Sequence, residues 1–101
     1  MHMSDFPTLQ NLFSAYFHQD WSLEHDSADA VVDSWREGED AEYIARARDE
    51  LDRLLARDLD DAALGAAVRA LGSEYDPTRD TARGDGGWRD WLVSVKQRLL
   101  A

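Results

Sequence analysis

The chain has 101 residues, 44% of them hydrophobic, with no cysteine and a formal net charge of −10. A chain of that length makes one domain, with an expected radius of gyration of roughly 13 Å, large enough for one core but not for a deep, many-layered active site. The missing cysteines exclude a disulfide framework and a zinc–thiolate site, the acidity argues against a nucleic-acid partner, and no apolar run approaches the roughly 20 residues of a membrane span.

Ala, Leu, Arg, Asp and Glu dominate the composition while β-branched residues are scarce, which favours helices. Residues 1–101 are expected to form one domain, with Met1 to Met3 disordered or foreign to it, and no secretory signal is read in them or in the polar sequence after them. Leu9, Leu12, Phe13, Tyr16 and Phe17 recur at the spacing of an amphipathic helix over about 8–17, with Asp5 placed to cap it and Pro7 in its first turn. A second helix is expected to begin near Asp26 or Ser27, to bury Ala28, Val31, Val32 and Trp35, and to end at Gly38. A third, over about 40–57, has a core stripe of Ile44, Ala47, Leu51, Leu54 and Leu55. Its outer face offers the i,i+4 pairs Glu42–Arg46, Arg46–Glu50, Arg48–Asp52 and Asp49–Arg53, each contributing about 0.2–0.5 kcal/mol.

The fourth helix spans about 61–71, buries Leu64, Ala67, Val68 and Leu71, and has Gly72 as its stop. Its small residues, Gly65 among them, permit a close helix neighbour. Residues 73–87 carry no periodicity and read as a long connection, of the kind that is usually functional or mobile. The Arg83-Gly84-Asp85 tripeptide in it is too short to carry meaning, and Asp85 is placed to cap the last helix. That helix, from Gly87 or Trp88 to about Leu100, turns Trp88, Trp91, Leu92, Val95 and Leu99 to one side, with Lys96 and Arg98 complementing its C-terminal dipole. The expectation is therefore an all-α single domain of about five helices. Its core is expected to contain Leu12, Phe13, Val32, Trp35, Ile44, Leu51, Leu54, Val68, Leu71, Trp91, Leu92 and Val95.

The negative charge is unevenly placed. Residues 1–42 hold ten acids against one base, Arg36, while residues 43–101 hold eleven acids and ten bases. Asp29, Asp33 and Glu37 succeed one another at four-residue intervals on the outer side of the second helix, where like charges repel. Read as unpaired, they suit an electrostatic docking face for a basic protein, although solubility alone also accounts for acidic surface. The predicted partner-binding set is Asp20, Glu24, Asp26, Asp29, Asp33, Glu37, Glu39 and Asp40.

His18, Asp20, Glu24, His25 and Asp26 lie within nine residues, but their spacing matches no established metal motif. A small metal-dependent enzyme or regulator centred on His18, Asp20 and His25 is the alternative reading, yet no nucleophile elbow or phosphate loop accompanies it. No catalytic residue, metal or cofactor is expected. A structural turn suits the residues better, with Asp20 accepting backbone N–H groups, His18 bridging to the chain and Trp21 anchoring it.

The run Tyr16-Phe17-His18-Gln19-Asp20-Trp21 resembles the hallmark of a family of small bacterial immunity proteins from contact-dependent growth inhibition systems. Glu74-Tyr75-Asp76-Pro77 and Trp88-Arg89-Asp90-Trp91-Leu92 extend the resemblance over nearly the whole chain. It implies a cytoplasmic protein that binds and occludes a cognate toxin, encoded alongside it, without catalysis. Joined to the acidic face, it implies a toxin domain with a basic surface, such as a nuclease whose cleft binds phosphate, and neither nucleic acid nor membrane as a partner.

Overall fold

The structure, a computed structural model, describes residues 6–80 and 87–100. In them α1 (Pro7–Tyr16), α2 (Trp21–Glu24), α3 (Ala28–Gly38), α4 (Ala41–Leu55), α5 (Asp61–Ala70) and α6 (Trp88–Leu100) succeed one another, with a 3-10 turn at Pro77–Arg79 before α6. The fold is all-α, with no strand among the described residues, and its radius of gyration is 12.5 Å. The five longer helices are those expected from the apolar stripes. Two short elements, α2 and the 3-10 turn, lack a periodic signal because each is no more than a single turn. The caps placed at Asp5 and Asp85, the Arg83-Gly84-Asp85 tripeptide and the first three residues lie outside the described residues.

Helix α6 is the centre of the domain. It packs against α3, α4, α5 and the 3-10 turn, while α1 lies across α3 and α4. Its apolar face of Trp88, Trp91, Leu92, Val95 and Leu99 is buried, as a helix with neighbours on several sides requires. Eleven of the twelve expected core residues are buried; Ile44 is half-buried at the margin. The inward face of α4 is made instead by Ala47, Glu50, Leu51 and Leu54.

Glu50 explains that shift. Its carboxylate is only 4% exposed and accepts the N–H groups of Thr8 (2.9 Å) and Leu9 (3.0 Å), capping the start of α1 from a neighbouring helix. The surface pair expected with Arg46 does not form, because the acid is more useful satisfying buried donors than standing in water. Arg46 binds Glu42 (3.1 Å), and Arg53 holds Asp49 as expected (3.2 Å). The Arg48–Asp52 pair is replaced by one between helices, Asp52 with Lys96.

Helix ends elsewhere are closed in the same manner. Ser27, Asp40 and Asp60 cap α3, α4 and α5 through the N–H groups of Ala30, Tyr43 and Ala63. Asp61 reaches from α5 to the N–H groups of Trp88 and Arg89, both at 3.0 Å, and so caps α6. Arg89 in turn donates to the carbonyl of Leu55 at the end of α4 and to that of Leu59 in the connection to α5. Gly72 closes α5 with φ +109°, where a Cβ would also meet Ser14 at 2.7 Å. Gly65 lets the Trp88 indole lie against α5; a Cβ there would fall 2.4 Å from Trp88 Nε1.

Candidate functional site

The three sequence runs that carry the family resemblance, 16–21, 74–77 and 88–92, meet in space. Phe17, at the end of α1, is fully buried and its ring meets Trp91 edge-on at 5.3 Å and Tyr75 at 5.6 Å. Trp21 stands edge-on to Tyr75 at 5.1 Å, and Tyr75 lies 5.0 Å from Trp91, which touches Trp88 at 6.2 Å. Centroid separations of this kind are the favoured tilted and T-shaped contacts of aromatic rings. The backbone joins the same junction: Glu74 N–H donates to the Phe17 carbonyl at 2.7 Å. Tyr75 O–H donates to Asp80 at 2.7 Å, and Ser73 Oγ donates to the Tyr75 carbonyl. Segments far apart in the chain are thus closed at one spot.

The turn itself is organised by His18. Its Nδ1 accepts the Asp20 N–H at 3.1 Å and its Nε2 stands 2.7 Å from Glu24 Oε1, the pattern of a neutral imidazole with one acceptor and one donor nitrogen. Both ring nitrogens therefore serve the turn. Asp20, by contrast, sits at the N-cap of α2 with an exposed side chain that makes no cap hydrogen bond, which corrects the expectation that it would hold the backbone. Among the described residues no three His, Asp or Glu side chains come together as a metal-binding group.

The predicted acidic set divides into three kinds. Asp33 is not unpaired: Arg98, from the last turn of α6, grips it with Nε–Oδ1 3.0 Å and Nη2–Oδ2 2.6 Å, and also stands 3.6 Å from Asp29. Those hydrogen bonds from Arg98 hold the Asp33 carboxyl below its usual range, and Asp33 raises Arg98 in return. The sequence suggests only a helix-dipole role for Arg98; its long side chain reaches across to α3 instead. Asp29, Asp33 and Glu37 line an open cleft of about 730 Å³ between α3 and α6, which Arg36 and Arg98 share. This face is mixed rather than purely acidic.

Glu24 and Asp40 are also in use, one on His18 and the other as the α4 cap. Asp20, Asp26, Glu37 and Glu39 have no ion pair or side-chain hydrogen bond among the described residues. Glu37 lies in the last turn of α3 and Glu39 at its C-cap, where the helix dipole disfavours a carboxylate. Among the described residues no ion pair or side-chain hydrogen bond engages those two charges. A second acidic grouping, unforeseen from sequence, lies beside the aromatic junction. There Asp26, Glu74, Asp76 and Asp80 line a cleft of about 430 Å³ with Trp21, Tyr75 and Arg79. In it Asp76 is held below the usual carboxylate range; burial pushes it up, but Thr78 and Arg69 hydrogen bonds outweigh that.

Comparison with known proteins matches the description of the CdiI immunity protein family over residues 5–99. The chain belongs to that family. No curated protein and no solved structure matches it. Membership carries an immunity role against the toxins of contact-dependent growth inhibition, and so a toxin as binding partner. No helix among the described residues is long and apolar enough to cross a membrane. The matched span takes in α1 through α6, so the aromatic junction and both clefts belong to the immunity domain.

Proposed function

We propose that this immunity protein neutralises its toxin stoichiometrically in the cytoplasm, by covering a basic surface with the carboxylates that α2, α3 and the α3–α4 turn display. The carrying observation is the set Asp20, Asp26, Glu37 and Glu39, exposed or half-exposed and without a pairing partner among the described residues. Two of them oppose the dipole of the helix that bears them, which fits a role outside the fold. The partner is a nuclease-type toxin domain, whose phosphate-binding cleft supplies the positive charge that carboxylates can occupy. Catalysis is not part of this reading: the chain acts by occupying the surface that the substrate needs.

The test uses the triple substitution Asp26→Lys, Glu37→Lys and Glu39→Lys, which leaves the Asp33–Arg98 clasp, the caps at Ser27 and Asp40, and the buried Glu50 untouched. The variant is expected to melt as the parent does, yet to bind the toxin domain encoded beside this chain several kcal/mol more weakly and to lose protection of cells that express it. Each like-charge contact created across such an interface costs on the order of a kcal/mol or more. Undiminished binding and protection would refute the acidic face.

A further inference from the structure

Helix α2 is an oddity of the fold. It has four residues, buries none of them fully, and presents Leu23 with 83% of its surface in water. A single exposed leucine is commonplace on a protein surface and by itself needs no explanation. Here, however, the segment that carries it is pinned on every side. Trp21 N–H donates to the His18 carbonyl, Leu23 N–H to that of Asp20, and His25 N–H to that of Trp21, all at 3.0 Å. His18 ties Asp20 N–H to Glu24, and the Trp21 ring seats the helix on Phe17 and Tyr75. Leu23 and the first carboxylate beside it, Asp20, are i,i+3 neighbours on one side of the turn. Asp26 comes soon after α2, and neither acid is paired among the described residues.

We infer that Leu23 is the apolar anchor of the toxin interface, entering a hydrophobic recess on the toxin that lysine or arginine side chains surround. This rests on the immunity reading and deepens it by naming the contact point. The choice of occupant follows from charge complementarity: an apolar tip flanked by unpaired carboxylates, on a chain of net charge −10, suits a basic rim around an apolar floor. A second copy of this strongly acidic chain suits it badly, because the same carboxylates would face each other. The anchoring of α2 has a physical consequence as well. The segment is hydrogen-bonded and seated on the aromatic junction without a partner, a geometry that reduces the freedom lost on docking. In such an interface Leu23 would sit at the apolar centre, and the exposed acids of the same stretch, Asp20, Glu24 and Asp26, at its polar rim.

The experiment measures affinity of the neighbouring-gene toxin domain for the parent, Leu23→Ala, Leu23→Asp and Leu23→Met, with thermal melting of each free protein and its sedimentation. Leu23→Ala is expected to weaken binding by about 10- to 100-fold, the effect of withdrawing one buried leucine from an interface. Leu23→Asp should weaken it further, and Leu23→Met should stay within a few-fold of the parent. All variants should melt with the parent. Parent-like affinity of Leu23→Ala would overturn the inference while leaving the immunity reading in place. A parent that fails to bind the toxin domain would overturn both. A fall in melting temperature that tracks the loss of binding would assign Leu23 a packing role, and a change confined to self-association would assign it to a contact between copies; either result defeats the inference.

Discussion

Asp33→Asn isolates the α3–α6 clasp. The substitution keeps the size of the side chain and removes its charge, leaving Arg98 with one neutral oxygen in place of a carboxylate held at 2.6 and 3.0 Å. Unit charges about 4 Å apart attract by some 4 kcal/mol at an effective dielectric constant of about 20, but here the side chains are 38% and 41% exposed, so water screens most of that attraction. Exposed pairs are worth about 0.2–1 kcal/mol, and a two-point geometry places this one near 1 kcal/mol. The midpoint of thermal unfolding should therefore fall by about 4–8 °C at pH 7. The pH dependence has a definite sign. The folded carboxyl titrates below its unfolded value, so its contribution is complete above the ordinary aspartate range and vanishes as pH falls through the folded pKa. Urea unfolding of parent and variant should differ at pH 7 and converge on acidification below about pH 4, the unfolded aspartate value. A difference that persists through that range, or no difference at pH 7, would refute the clasp. Toxin affinity should change little, because the carboxylate is engaged within the fold.

Glu50→Ala should destabilise the domain by about 2–4 kcal/mol, since it strands two buried N–H groups at the head of α1, whereas Glu42→Ala on the same helix should cost under about 0.5 kcal/mol; chemical denaturation separates them. Trp21→Ala should cost about 2 kcal/mol, less than the truncation of a fully buried aromatic because the ring is half-buried, while Asp20→Ala should be close to neutral for stability; urea unfolding of the two variants checks the contrast. Gly65→Ala should cost about 1–3 kcal/mol, since its Cβ overlaps the Trp88 indole; an unchanged unfolding midpoint would show that α6 can step aside.

The helices were legible because each long one carries an apolar stripe, with Ser27 a start for α3 by residue type and Gly72 a stop after α5 by its freedom at positive φ, whereas α1 and α6 are capped from other helices by Glu50 and Asp61. What the stripes could not convey is who pairs with whom. Glu50, Asp52 and Asp33 look from sequence like surface acids with partners, or gaps, four residues away. Their real partners lie on other helices, a relation that no local spacing records. The acidic balance of the first 42 residues was visible, but its distribution between structural duty and open surface required the position of Arg98. The aromatic junction was half-visible. Its rings stood out as a run at 16–21 and a pair at Trp88 and Trp91, while Tyr75 was marked only by the Glu74-Tyr75-Asp76-Pro77 resemblance, which says nothing of its lying between them. The exposure of Leu23 has no sequence signal at all, because a leucine in a four-residue helix reads the same whether it points in or out.

The most direct test of toxin capture by an acidic face is the rate at which this chain associates with its cognate toxin domain, measured by stopped-flow fluorescence across a range of ionic strength. Steering by unpaired carboxylates acts over about a Debye length, roughly 10 Å at 0.1 M salt and 3 Å at 1 M. The association rate constant of the parent should accordingly fall at least about tenfold between low and high salt, with the dissociation rate changing far less. The Asp26→Lys, Glu37→Lys, Glu39→Lys variant should associate slowly throughout, with little further response to salt. An association rate that ignores ionic strength, with parent and variant alike, would contradict the proposal and leave the acids to serve solubility.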